Sequence, residues 1–441
     1  MTVPLSASLL QISARLRPTV LWRTGFMRTR VTKWMICLWL GFMPLSLSGC
    51  YDRKELEQQA FVTVLGLDNG PGGTIDCTFE LASPQSPDGG SASSATKSPN
   101  RVVVRAHSLA EALTVANASV ERSLSFTHLT MIVFGQSLAQ NGLGNLLQSL
   151  IRFREFRGTI LLTLAKGKAQ DLMQSFTPML EKSPSRAAES VALVGQDLGI
   201  IPVTYLHDFT RELQTSNVDG LVPLFAINQA VKSDPKGQNP ISPDVEPHLA
   251  AGTLPRSGGN PVEWSGSGVF RDDKLVDFLD GEQTRDVEML RGKVRRTLIT
   301  FTDPLDKQAH VGLALHAEDK PVYHVTLGKP VRIDITVPLE ADIENTESSA
   351  DYTQPKMRAK LEQSVGQQLD SELKTVLTRL LVEDAVDPVP ISDHIRAQFT
   401  TDQQFTAYPW MQQVKQASIV IHTKLHIRRF GIQTIPLKKG T

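Results

Sequence analysis

Residues 129–165 read LTMIVFGQSLAQNGLGNLLQSLIRFREFRGTILLTLA, and their patterning decides the fold class. Leu129 to Phe134 is a short, unbroken apolar run of the kind buried on both faces of a sheet. Leu143, Leu146, Leu147, Leu150 and Ile151 then recur at i, i+3, i+4, i+7 and i+8, one stripe of a helix. Thr159 to Ala165 returns to strand character. Strand, helix, strand at this spacing makes a crossover between parallel strands, so the chain reads as an α+β or α/β layered protein.

Upstream, Ala60 to Leu67 and Ile75 to Leu81 read as strands around the turn Asp68-Asn69-Gly70-Pro71-Gly72-Gly73, a hairpin. Residues 83–100 are almost wholly Ser, Pro, Gly and Ala and read as an exposed, flexible loop. After Val102-Val103-Val104, the capping box Ser108 to Glu111 opens a helix whose Leu109, Ala112, Leu113, Ala116 and Val120 share a face.

Downstream, Asp234-Pro235, Asn239-Pro240, Ser242-Pro243, Glu246-Pro247 and Pro255 crowd one stretch with breakers. The principal boundary is expected there. Gly268-Val269-Phe270 and Leu275-Val276 flank Arg271-Asp272-Asp273-Lys274 as a second hairpin, and Val322 to Leu327 and Val331 to Leu339 read as strands. Met357, Leu361, Val365, Leu369, Leu373, Val376, Leu377, Leu380 and Leu381 mark the longest helix, a core helix, and Ala417 to Ile427 closes as a strand. The expected organisation is a segment 1–49 that is removed and a 50–235 α+β region of two subdomains. A 236–261 linker and a 262–441 α+β domain follow, with 50–235 and 262–441 folding independently on mixed and antiparallel sheets flanked by helices.

With 441 residues, 41% of them hydrophobic, the chain is long enough for two or three cores, which rules out disorder as its main state. Its 46 basic and 46 acidic groups leave no basic footprint, which argues against a nucleic-acid binder. The first 49 residues hold six of the basic groups (Arg15, Arg17, Arg23, Arg28, Arg30, Lys33) and no Asp or Glu. Without them 40 basic groups face 46 acidic ones, a charge of −6. Three cysteines, Cys37, Cys50 and Cys77, are too few for a disulfide framework and lack a Cys-x-x-Cys pair.

Arg28, Arg30 and Lys33 precede an apolar run from Trp34 to Leu47, followed by Ser48, Gly49 and Cys50. That is the layout of a secretory signal, with Met27 a candidate start. The run is shorter than the roughly 20 residues a spanning helix needs, and Pro44 interrupts it. Leu47-Ser48-Gly49-Cys50 fits the lipobox of bacterial lipoproteins at all four positions, which makes Cys50 the expected lipidation site and the mature N-terminus.

The lipobox runs into Tyr51-Asp52-Arg53-Lys54-Glu55-Leu56, and here the chain resembles the Ger(x)C family, the lipoprotein C subunits of spore germinant receptors. Tyr51 stands for the usual Trp. Val64-Leu65-Gly66-Leu67-Asp68 is similar to that family's first strand. Ser125-Phe126-Thr127-His128-Leu129 and Arg152-Phe153-Arg154-Glu155-Phe156-Arg157 resemble its central N-terminal crossover. Gly268 to Leu275 resembles the start of its C-terminal domain, and Ala417 to Gly431 its last strand. Asp384 to Ser392 and residues 83–100 depart from the family pattern. The resemblance implies a three-domain α+β lipoprotein on the outer face of the spore inner membrane. It also implies two integral-membrane partners, the A and B type subunits, a response to small-molecule germinants, and no enzymatic activity or cofactor.

Catalytic constellations are incomplete. Gly167-Lys168-Ala169 lacks the remainder of a phosphate loop, Ser265 breaks a nucleophile elbow at Ser267, and Gly142-Leu143-Gly144 has Leu147 where a dinucleotide fingerprint needs Gly. His422 and His426 are spaced like a helical metal pair, yet they lie in an alternating strand beside Lys424 and Arg428, cations that oppose a metal ion. These four residues are expected on one strand face, either simply solvated or a basic stripe for anionic lipid or a partner subunit. Arg152, Arg154 and Arg157 with Glu155 read as a helix C-terminus complementing its dipole, or as a surface for an acidic partner. His128 reads as a hydrogen-bonded packing residue and Cys77 as buried and inert. The rival readings are a solute-binding lipoprotein of a membrane transporter and a cell-envelope hydrolase.

Overall fold

The computed structural model describes residues 34–35, 55–82, 100–181 and 183–431, and its strands form two sheets. β1 (Gln59–Asn69) and β2 (Ile75–Leu81) make the expected hairpin, with Leu65 opposite Phe79 and Leu67 opposite Cys77. Gly72 and Gly73 take φ of +64° and +77° in the turn, which only glycine adopts without strain. β3 (Asn100–Ala106) adds to β2. Helix α1 (Leu109–Asn117) starts where Ser108 Oγ accepts the Glu111 N–H at 3.2 Å. The Glu111 carboxylate takes the His107 N–H at 2.8 Å rather than that of Ser108, so the box is displaced by one residue.

β4 (Ser123–Ser125) and β5 (Met131–Gly135) lie in tandem and parallel along β1, the first opposite Gln59 to Phe61 and the second opposite Val64 to Leu67. After α2 (Gln136–Asn141) and α3 (Gly144–Arg152), β6 (Leu161–Ala165) runs parallel to β5, which is the crossover expected from residues 129–165. α4 (Ala169–Ser175), α5 (Pro184–Leu198) and α6 (Leu206–Gln214) lead to β7 (Leu221–Ile227), parallel to β6. The family-like Gly66-Leu67-Asp68 has a local job here. Asp68 accepts the N–H groups of Ala169 and Gln170 at 2.8 and 2.9 Å, capping α4, and a side chain at Gly66 would meet Met173 of that helix at 2.6 Å.

After α7 (Gln229–Ser233), the Pro-rich stretch arrives at β8 (Val262–Arg271), which pairs antiparallel with β7, Leu221 facing Val269 and Ile227 facing Val262. β9 (Lys274–Leu279) is its hairpin partner. Residues 262–279 therefore complete the first sheet instead of opening a separate domain. The stretch 236–261 is a long connection between neighbouring strands, and the border between the sheets falls after β9. Pro and Gly mark where local structure breaks but carry no information about which strand the next one pairs with.

α8 (Gly281–Leu290) starts at a reciprocal capping box between Asp280 and Gln283. Then come β10 (Thr297–Thr302), β11 (His310–Ala317), β12 (Val322–Thr326) and the 15-residue β13 (Arg332–Thr346). α9 (Pro355–Thr378), a π turn at Arg379–Glu383, α10 (Asp402–Ala407), α11 (Trp410–Gln413) and β14 (Ser418–Arg429) finish the described chain. β13 is the spine of the second sheet, with β11 and β12 end to end and antiparallel on one edge and β14 parallel on the other. α9 is the core helix expected over 357–381. Its Leu361, Val365, Leu369 and Leu373, four apart, are buried in one cluster with Ile333, Ile335, Ile419 and Ile421. Leu221, Val269 and Leu279 of the first sheet belong to the same cluster, so the two sheets share a core.

Candidate interaction surfaces

Alternation along β14 buries Ile419, Ile421, Leu425 and Ile427 and exposes His422, Lys424, His426 and Arg428, as the sequence pattern predicts. The parallel neighbour β13 sets Thr336, Pro338 and Glu340 beside the first three of these. Arg428 pairs with Glu340 at 2.5 Å, Arg429 with Asp342 at 3.6 Å, and His426 sits 3.9 Å from Glu362 of α9. On β11, His316 lies 3.6 Å from Asp342. The face is thus a cationic strand laid against an acidic one, a mixed pattern rather than the uniform stripe that one strand's sequence suggests.

Two donors on the free edge of β14 are occupied. The N–H groups of Thr423 and Ile427 donate to Asp370 and Glu362 at 2.6 and 2.8 Å. Eight residues of helix rise about 12 Å and four of strand about 13 Å, so the two carboxylates of α9 match the spacing of alternate edge donors.

A second basic surface lies where α3 ends. Only Arg152 falls in the last turn of α3; Arg154 and Arg157 lie beyond it, so the helix-dipole reading holds for one arginine of three. Glu155 does not pair with them. It accepts the Phe126 N–H at 2.6 Å and the Ser125 hydroxyl at 3.2 Å, tying the loop to β4. Beneath, Phe126 meets the edges of Phe153 and Phe156 with ring centroids 5.5 and 4.9 Å apart. Among the described residues Arg152, Arg154 and Arg157 are exposed and have no ion pair. Ile151 beside them is 48% exposed.

Sequence reasoning missed the joint between the sheets. Asp387, fully buried, accepts the N–H groups of Ile391 and Ser392 and the Trp410 indole N–H at 3.0, 2.8 and 3.1 Å. Its own N–H donates to Asp219 at 2.9 Å, and its carbonyl accepts the Asp219 N–H at 3.2 Å. Asp219 also takes the Asp272 N–H at 3.1 Å, and Ser392 donates to the Asn217 carbonyl at 2.8 Å. Burial outweighs these donors and pushes the Asp387 carboxyl up to about 6. Asn217, Asp272 and Ala385, the non-glycine residues with φ between +51° and +61° among the described residues, all belong to this joint, which concentrates backbone strain there. Clefts of about 450 and 540 Å³ flank its loop; Arg211, Lys293 and Lys320 line the larger with the stacked pair Tyr323 and His394.

Of the other sequence candidates, His128 accepts or donates a hydrogen bond with Thr127 at 3.2 Å and lies on Phe61, with ring centroids 4.3 Å apart, though its outer face is exposed. Cys77 is buried and its thiol is pushed up to about 12 by burial. Gly167 to Ala169 form the turn into α4, whose N-terminus Asp68 already occupies. Leu47, Ser48, Gly49, Cys50 and the loop residues 83–99 lie outside the described residues. Among the described residues no group of His, Cys, Asp or Glu could hold a metal ion, and no helix is long and apolar enough to cross a membrane.

Two family models match the chain, the spore germination protein N-terminal domain over residues 52–227 and the spore germination B3/GerAC-like C-terminal domain over 265–431. The chain is 24% identical to spore germination protein KC of Bacillus subtilis (strain 168) over 415 residues, 91% of this chain and 98% of that protein. It is 26% identical to spore germination protein B3 of the same organism, over 81% of this chain and 87% of the relative. The crystal structure of the GerBC protein superposes with a TM-score of 0.50 at 17% identity, covering 82% of this chain and 96% of that one, a likeness of fold.

Proposed function

This chain belongs to the Ger(x)C family of spore germination proteins, and from that premise we propose that it is the lipid-anchored C subunit of a germinant receptor. The observation that carries the reading is Leu47-Ser48-Gly49-Cys50, a complete lipobox closing a signal sequence nine residues ahead of β1. Two acyl chains at about 0.8 kcal/mol per buried CH₂ hold such a protein on the outer face of the spore inner membrane. In this reading it is not an enzyme and works by contact with the A and B type integral-membrane subunits. The mixed-charge face of His422, Lys424, His426 and Arg428 with β13 suits a protein partner, because alternating signs fix register and exclude wrong partners.

Mass spectrometry of the membrane-extracted protein tests the anchor. The expected N-terminus is a diacylglyceryl Cys50, and Cys50→Ala shifts the protein to the soluble fraction. A mature chain that begins elsewhere and carries no lipid would falsify the reading.

A further inference from the structure

We propose that the loop Ile151 to Arg157 is a membrane-docking surface that rests on anionic lipid; its orientation relies on the lipid-anchored reading above. Three observations meet at this loop.

The first is connectivity. β1, β5 and β6 are parallel, so their starting ends share one edge of the first sheet, where the chain enters at Gln59 and the loop delivers residue 161. Gln59 to Phe61 pair with Ser123 to Ser125, and Ser125 and Phe126 are bonded to Glu155, so the loop is tied to the point where the chain enters the fold. Gln59 lies nine positions after Cys50. That length of chain reaches at most about 30 Å, which keeps this edge near the bilayer to which a lipidated Cys50 is fixed.

The second is charge. Three exposed guanidinium groups lie within six residues, and the one carboxylate among them is turned inward onto backbone. Glu121 and Arg122, exposed on the approach to β4, offset each other. Cations at an anionic surface act within about one Debye length, roughly 8–10 Å, and each strengthens binding about fivefold.

The third is composition. Arginine alternates with Ile151, Phe153 and Phe156, the last two half-buried on Phe126. An apolar and aromatic body with cationic tips is the amphipathic character that suits the headgroup layer. The aromatic floor holds the loop in place, so docking does not have to order it.

The lipidated full-length protein, reconstituted on vesicles of phosphatidylcholine alone or with 30% phosphatidylglycerol, provides the test. A fluorophore at Thr159→Cys, two residues after the loop, or at Thr302→Cys, on β10 of the second sheet, is read against a headgroup-attached quencher. Cys77, buried and with a raised thiol pKa, does not compete for the label. The expected result is quenching at position 159 on anionic vesicles only, abolished at about 0.5 M salt, where the Debye length falls to roughly 4 Å. Position 302 should be unaffected. Arg152→Glu with Arg154→Glu and Arg157→Glu should weaken the docked state by roughly a hundredfold. Equal quenching on neutral and anionic vesicles, or a triple variant that quenches like the parent, overturns the proposal. An unquenched triple variant counts in its favour only if circular dichroism shows the parent fold, and Arg→Lys at the three positions, which keeps the charge, should restore quenching. A membrane-extracted protein found to carry no acyl groups that floats with anionic vesicles alone would overturn the anchor and support the loop. A lipidated chain that floats with both but never quenches would overturn the loop and leave the anchor standing.

Discussion

The loop after α3 and the outer face of β14 carry the same kinds of side chain in different company. On β14 His426, Arg428 and Arg429 each have an acidic neighbour from another element, Glu362 from α9 and Glu340 and Asp342 from β13, while Lys424 lies beside Pro338. After α3 the only carboxylate is spent on backbone, and the arginines are left to solvent. Net charge along a strand therefore says little about the field above a sheet, because the adjacent strand supplies half the charges. A patterned face discriminates among proteins, whereas an uncompensated one attracts any anionic surface.

The contrast can be broken most severely from beneath. Phe126→Ala removes the ring on which Phe153 and Phe156 rest and should cost about 3–5 kcal/mol in denaturant unfolding. Anionic-lipid selectivity should fall with it while the β14 face stays intact. Equal damage to both surfaces would show that they are not separate units.

The joint linking the two sheets comes next. The Asp387 carboxyl titrates near 6 when folded and near the ordinary 3.8 when unfolded, so the folded state binds the extra proton between those values. The stability it contributes is complete below about pH 4 and is lost as pH rises through 6, on the order of 3 kcal/mol. The denaturation midpoint should therefore fall between pH 4.5 and 7, with Asp286 and Asp384, which burial also raises to about 7 and about 6, adding to the slope, and Asp387→Asn should reduce it by its own share. A wild-type profile that rises over this range would contradict the assignment.

A smaller effect is expected at the β14 edge. Glu362→Ala strands the Ile427 N–H and removes the neighbour of His426, costing about 1–2 kcal/mol and leaving the loop's lipid response unchanged. The smallest effect on folding is Lys424→Glu with Arg428→Glu, within about 0.5 kcal/mol per site. Co-purification with the membrane subunits should nevertheless weaken, and a double variant that assembles and germinates normally would make this face plain solvated surface.

Much of the fold was legible because it is written locally. Residues 129–165 carry their crossover in period and length, and the four-residue spacing of Leu361 to Leu373 specifies a core helix. The pairing of β8 with β7 was not legible, since Val262 to Arg271 would pattern alike in either sheet. Nor was the joint: Asp219 and Asp387 are 168 positions apart, and nothing in Asp384 to Ser392 distinguishes a buried acceptor from a surface loop. Of the candidate surfaces, alternation revealed which β14 residues are exposed but not their acidic neighbours. The arginine run was visible, while the inward turn of Glu155 that leaves it unpaired depends on Phe126, 29 residues earlier.

The carboxylates of Asp370 and Glu362 on the edge of β14 take on further meaning for a protein confined to a surface. Tethered copies meet in two dimensions at an effective concentration that can reach millimolar, where one exposed strand readily recruits the strand of a neighbour. With Thr423 and Ile427 already engaged, two of the donors that a neighbouring strand would need on this edge are withheld. At this edge, crowding then favours contact through side-chain faces over backbone pairing.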